Sequence, residues 1–193
     1  TANSDWITLR GLDGSLTSSA DATINSVSVG KGANSVSNNT VLGENALDAS
    51  VTGDHNTALG KDALTTNTSG SKNNAIGFQA LRFTTTGSKN EAMGYLSLTE
   101  NTSGSNNVAI GDEALQNNTT ANDNVAIGRQ ALKVNTTGKN NVAIGANALD
   151  AATTADDNNA IGQNAAGAVT TGERNNVLGH DALQSCTTGN RNV

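Results

Sequence analysis

The sequence predicts an all-β fold, a parallel β-roll or β-solenoid of about ten coils, and three observations predict it. A glycine recurs every seventeen residues, as Gly43, Gly60, Gly77, Gly94, Gly111, Gly128, Gly145, Gly162 and Gly179. Four residues before each stands an asparagine: Asn39, Asn56, Asn73, Asn90, Asn107, Asn124, Asn141, Asn158 and Asn175, with Asn192 continuing the series. Apolar residues make up only 35% of the chain, too few for a broad core but enough to line a narrow coil. A fixed period marks an array of stacked units, none of which can bury its apolar side alone. The same exactness of period argues against disorder, which the Asn, Thr, Ser and Gly content would otherwise suggest.

Residues 1–25 do not fit the period and read as an N-terminal cap or a joint to a preceding domain. They hold the only tryptophan, in Asp5-Trp6-Ile7-Thr8-Leu9-Arg10, an alternating stretch expected to be a strand with Trp6 plugging the open end of the first coil. Residues 26–193 form the repeat domain, which stops in mid-repeat and so reads as a piece of a longer protein. Its first segment, Asn25-Ser26-Val27-Ser28-Val29-Gly30-Lys31-Gly32-Ala33, is expected to be a short variant coil, since thirteen residues separate Gly30 from Gly43. Lys31 between two glycines lacks the spacing of a phosphate loop.

From Asn39 onward each unit runs Asn, a variable residue, a small residue, a large aliphatic and Gly, then Ala-Leu, a variable stretch and Thr-Thr/Ser-Gly. Seventeen residues suit two short strands and two turns, with glycines supplying the turn conformations. Helix-pair repeats need longer units, and the leucine-rich spacing is absent. Stacking at about 4.8 Å per coil would give a rod of roughly 45 to 50 Å, with the asparagines forming an amide ladder.

Ala and Ile are neighbours, and adjacent strand residues point to opposite faces. Small Ala suits the interior, which leaves Leu42, Leu59, Ile76, Met93, Ile110, Ile127, Ile144, Ile161 and Leu178 in an outward column. Ala-Leu is expected to behave in the same way. Such a stripe in water forfeits on the order of 15 to 30 kcal/mol of burial, so another copy of the chain is expected to cover it.

The recurring Asn-x-Ala-Ile-Gly, as in Asn107-Val108-Ala109-Ile110-Gly111, followed by Ala114-Leu115 and by Thr136-Thr137-Gly138, resembles the head repeats of trimeric autotransporter adhesins. It is equally similar to repeat regions of bacteriophage tail fibres. Residues 25–33 are closest to the shorter adhesin-head repeat and residues 39–193 to the longer one, about six-sevenths of the chain together. The resemblance implies a left-handed β-roll in a parallel homotrimer, with the aliphatic column facing the partners. It also implies an extracellular or virion-borne attachment structure, a fibre rod or bacterial surface adhesin.

Nothing in the sequence asks for catalysis or a cofactor. His55 and His180 occupy different repeat positions and read as exposed turn residues. Asp62, Glu113 and Asp181 share a position that holds Asn45, Gln79 and Gln130 elsewhere, a polar face rather than a carboxylate pair or calcium ladder. The net charge of −6 disfavours nucleic acid. No apolar run is long enough to span a membrane, and Cys186 has no partner for a disulfide. Asn67, Asn101, Asn118 and Asn135 begin glycosylation sequons, read as by-products of an Asn-Thr-rich turn.

The expected function is therefore a structural and adhesive rod, mainly a rigid spacer, whose partner is itself and whose outer contact is a host glycan or protein. Phe78, Arg82, Phe83 and Tyr95 form a candidate contact patch. An ice-binding solenoid is the alternative, drawn from Thr119-Thr120, Thr136-Thr137, Thr153-Thr154, Thr170-Thr171 and Thr187-Thr188. A polysaccharide-degrading β-helix would need carboxylates and aromatic platforms, and this chain has aromatic residues only at Trp6, Phe78, Phe83 and Tyr95.

Overall fold

The computed structural model describes residues 22–24, 26–49 and 51–193, so the expected strand and plug at Trp6 lie outside the described residues. Among the described residues eleven strands form one sheet in sequential order. Nine are the repeat strands: β3 (Thr40–Gly43), β4 (Thr57–Leu59), β5 (Asn74–Ile76), β6 (Glu91–Met93), β7 (Val108–Ile110), β8 (Val125–Ile127), β9 (Val142–Ile144), β10 (Asn159–Ile161) and β11 (Asn176–Leu178). Each pairs in parallel with the next at an offset of one repeat, as Ala109↔Ala126 and Ile110↔Ile127. The fold is an all-β parallel solenoid of about eight turns, fewer than the ten expected. Eight steps of about 4.8 Å make a stack roughly 38 Å long.

One of the two missing coils is explained at the N-terminal end, and the other by nine repeat strands making eight parallel steps. β1 (Ala22–Ile24) and β2 (Val27–Gly30) form a hairpin, and β2 pairs antiparallel with β3 through Ser28↔Gly43, Val29↔Leu42 and Gly30↔Val41. Residues 27–30 are therefore not the variant coil expected of them. Antiparallel strands can be joined by a short connection, whereas a parallel step needs a full crossover. Thirteen residues bring the chain back in the reverse sense, and the hairpin covers the free edge of β3.

Only one strand forms per coil, where two were expected. After the strand, Gly128 has φ 132°, a conformation open to glycine. A Cβ there would lie 2.6 Å from the Gly145 carbonyl carbon and oxygen, because the glycine backbones of successive coils press together. Two residues later the chain alternates hands: Gln130 and Leu132 have φ 60° and 50°, with Ala131 between them. The left-handed residues remove the two-fold alternation of a strand, so Ala131 and Leu132 both turn inward and both are fully buried. The expectation of an outward Leu in Ala-Leu is thus wrong. Leu47, Leu64, Leu81, Leu98, Leu115, Leu132 and Leu149 form the spine of the core beside the strand alanines.

A left-handed leucine costs on the order of 1 to 3 kcal/mol of backbone strain, comparable with the 1.5 to 3 kcal/mol that its burial returns. Coil-to-coil bonding helps to hold it. Leu115 N–H donates to the Ala131 carbonyl at 3.0 Å and Glu113 N–H to the Tyr95 carbonyl at 2.8 Å, so the parallel ladder continues through the turn in both directions.

Candidate functional site

Each three-residue strand presents its first and third side chains outward. The third positions are the predicted aliphatic column. Leu42, Leu59, Met93, Ile110 and Ile161 are 38–48% exposed, while Ile76, Ile127 and Ile144 are half-buried. With about 40% of each of the first five left in water, those five forfeit roughly 3 to 6 kcal/mol of burial per chain, less than full exposure would cost.

The first positions form a second outward column that the sequence reading overlooked. Val108, Val125 and Val142 widen the apolar face on β7–β9. Polar residues replace them elsewhere and link along the stack. Asn74 Nδ2 donates to both carboxylate oxygens of Glu91 at 2.9 and 2.8 Å, and Asn159 Nδ2 to Asn176 Oδ1 at 2.8 Å. Strict alternation about Ala109, Ala126 and Ala143 was the signal that would have revealed the valines.

The repeat asparagines lie inside. From Asn39 to Asn175, each Oδ1 accepts the backbone N–H of the next asparagine in the series at 2.8–3.1 Å. Each Nδ2 donates to the carbonyl fourteen residues on, at 2.7–3.1 Å. All but Asn39, at 5%, and Asn158, at 1%, are 0% exposed. Each side chain thus closes one coil and anchors the next, in an interior sealed from bulk solvent.

A second interior column was missed. Asn67, Thr84, Asn101, Asn118, Asn135, Ala152 and Val169 occupy one position in successive coils, all 0% exposed. Four of them are the asparagines that begin the sequons read as by-products of an Asn-Thr-rich turn. Asn118 Nδ2 donates to Asn101 Oδ1 at 3.0 Å and Asn135 Nδ2 to Asn118 Oδ1 at 3.2 Å. The two amide columns converge: Gly138 carbonyl accepts from Asn124 and Asn135, each at 2.9 Å. Where the amide series breaks, a buried acceptor is orphaned. Asn67 Oδ1 faces the coil of Thr84 and Asn135 Oδ1 that of Ala152, and neither has a partner.

The acidic repeat position is bridged by amides. Asp62 accepts from Asn45 at 3.0 Å and Gln79 at 3.3 Å, bonds that hold its pKa below the ordinary carboxylate value against the opposing effect of burial. Glu113 is lowered by Lys133, 2.7 Å away, and by Gln130. Asp181 accepts from Asn164 at 2.7 Å. Asp150 runs the other way, its pKa raised by burial. His55 and His180 are exposed and pair with Asp54 and Asp181 next to them in sequence. Among the described residues no group of three His, Cys, Asp or Glu side chains could hold a metal ion, and no helix is long and apolar enough to cross a membrane.

The candidate contact patch resolves into two pairs. Phe78 and Tyr95 stack at 5.4 Å between centroids and 11° between planes, 38% and 51% exposed. Arg82 lies 4.9 Å over the Phe83 ring. The threonines divide as well. Thr68, Thr85, Thr102, Thr119, Thr136, Thr153 and Thr170 each donate their hydroxyl to the carbonyl of the matching residue one coil on. The residues after them, from Ser69 to Thr188, are exposed.

Interior amide ladders, a leucine spine and an outward apolar stripe define a β-solenoid repeat protein. Comparison with protein-family models, curated proteins and solved structures finds no match to this chain.

Proposed function

We propose that the chain is the structural and adhesive rod of a trimeric fibre, a phage tail fibre or a bacterial surface adhesin, acting mainly as a rigid spacer. The observation that carries this reading is the outward column from Leu42 to Leu178, aliphatic in every coil and open to solvent along the stack. The repeat asparagines are satisfied coil to coil in the interior, so this stripe is the main surface with free energy to gain from a partner. A covering surface must match its axial repeat at every coil, and another copy of the chain does so by construction. The resemblance of Asn-x-Ala-Ile-Gly to adhesin heads and tail-fibre repeats supports three copies, a left-handed coil and an extracellular or virion-borne place.

The variable positions Arg82, Thr99, Gln116, Lys133 and Asp150 share no charge or shape from coil to coil. Tight recognition needs clustered anchors such as Trp, Tyr and Arg, and Phe78–Tyr95 is a small one. Contact with a host glycan or protein is therefore weak and gains from three-fold valency. Sedimentation equilibrium of the purified chain, followed by a glycan array, tests both parts. A trimer with little binding in the array agrees with the spacer reading, and a monomer, or a submicromolar ligand on the late coils, overturns it.

The exposed column from Ser69 to Thr188 favours one second reading, an ice-binding surface. It is a single file, because the neighbouring threonine hydroxyls are spent within the stack. Thermal hysteresis in the purified chain would support it.

A further inference from the structure

We infer that folding of this chain and N-glycosylation at four of its sequons exclude one another, independently of the role proposed above. Asn67-Thr68-Ser69, Asn101-Thr102-Ser103, Asn118-Thr119-Thr120 and Asn135-Thr136-Thr137 each satisfy the acceptor pattern. In the rod all four asparagines are 0% exposed. Their Nδ2 atoms, where a sugar would be joined, donate to the carbonyls of Gly70, Gly104, Ala121 and Gly138 at 2.9–3.2 Å. The space is closed to far smaller groups than a sugar. A single Cβ placed on Gly70 or Gly138 would come within 2.5 Å of Asn67 Oδ1 or Asn135 Oδ1. The residues that complete the sequons, Ser69, Ser103, Thr120 and Thr137, are by contrast exposed to solvent. No enzyme can engage both ends of such a sequon while the coil is closed.

The unfolded chain has no such protection. An oligosaccharyltransferase using a lipid-linked oligosaccharide diphosphate would form the bond from the sugar C1 to the asparagine Nδ2. The bond from C1 to the phosphate oxygen breaks, the lipid diphosphate leaves, and the amide gives up a proton. One glycan on the second interior column then blocks closure of its coil, and parallel stacking carries the defect to both neighbours. Asn38 and Asn117 also begin sequons, Asn38-Asn39-Thr40 and Asn117-Asn118-Thr119, but Asn38 is exposed and Asn117 half-buried, so neither is sealed in the interior. The rod is thus suited to synthesis where no such transferase meets the nascent chain.

The test directs the full chain into a eukaryotic secretory pathway, beside a variant carrying Ser69→Ala, Ser103→Ala, Thr120→Ala and Thr137→Ala. Those substitutions erase the four inner sequons and leave both amide columns intact. Site occupancy is read by peptide mass spectrometry and folding by protease resistance. The expected result is glycan on inner asparagines only in protease-sensitive parent chains, with a protease-resistant core recovered in the variant. Protease-resistant chains bearing glycan on Asn67, Asn101, Asn118 or Asn135 would overturn the inference. So would a parent that is protease-sensitive and glycosylated on inner asparagines beside a variant equally sensitive in the same pathway, when that variant made in bacterial cytosol is protease-resistant. Equally resistant chains with no inner glycan agree with the inference.

Discussion

The backbone N–H of Asn141 donates to the Asn124 side-chain oxygen at 3.0 Å, one full coil away and with both residues fully buried. Replacing Asn124 by Ala strands that N–H away from bulk solvent. The expected loss is about 1 to 3 kcal/mol per chain, measured by urea unfolding. Asn124→Asp keeps the acceptor but loses the donor to Gly138, and it should also destabilise.

The orphaned Asn135 oxygen makes a second experiment possible, one that moves the orphan along the column. Ala152→Asn extends the inner amide column by one coil, placing a donor against Asn135 Oδ1 and the Ala155 carbonyl. The same side chain already fits at Asn118 and Asn135, so overpacking is limited. The introduced amide oxygen would itself face the coil of Val169 without a donor, so the orphan moves one coil on and stability should change by less than about 1 kcal/mol per chain, read as a nearly unmoved urea midpoint at unchanged slope.

Gly128→Ala should be among the most damaging single changes. It combines a backbone angle closed to L side chains with a Cβ 2.6 Å from the Gly145 carbonyl. Relief requires coils to separate, so the expected loss exceeds about 4 kcal/mol, measured as protease resistance and thermal midpoint.

Two carboxylates should respond to pH with opposite signs. Glu113 is held below its ordinary pKa chiefly by Lys133, so its stabilisation is present above the unfolded value and lost as pH falls through the lowered one. Burial raises Asp150, so its ionised form opposes folding at neutral pH and the penalty fades as pH falls through the raised value. Glu113→Gln should lower the melting temperature at pH 7 and flatten its fall in acid. Asp150→Asn should raise the melting temperature at pH 7 and change it least in acid.

The parallel register was legible because Gly and Asn recur without a slip, and Ala109↔Ala126 simply follows from the period. The outward Ile column was legible because three strand residues obey two-fold alternation. Leu132 was not, since nothing in Ala131-Leu132 announces a left-handed leucine. Its conformation is imposed by burial and by bonds to the next coil, which are tertiary. The inner column from Asn67 to Val169 was hidden because it changes type, from amide to hydroxyl to methyl, while keeping one place in the coil. The reversal of β2 had a visible sign, the thirteen-residue step from Gly30 to Gly43, which fits a hairpin better than a shortened coil.

The outward stripe is the centre of the functional account, and its cover can be weighed directly. Sedimentation equilibrium at micromolar concentration should give a mass near three times the 19.4 kDa of one chain, and Ile110→Asp should abolish it by placing charge in the apolar contact. A stable monomer of 19.4 kDa, unaltered in mass and melting temperature by Ile110→Asp, would contradict the account.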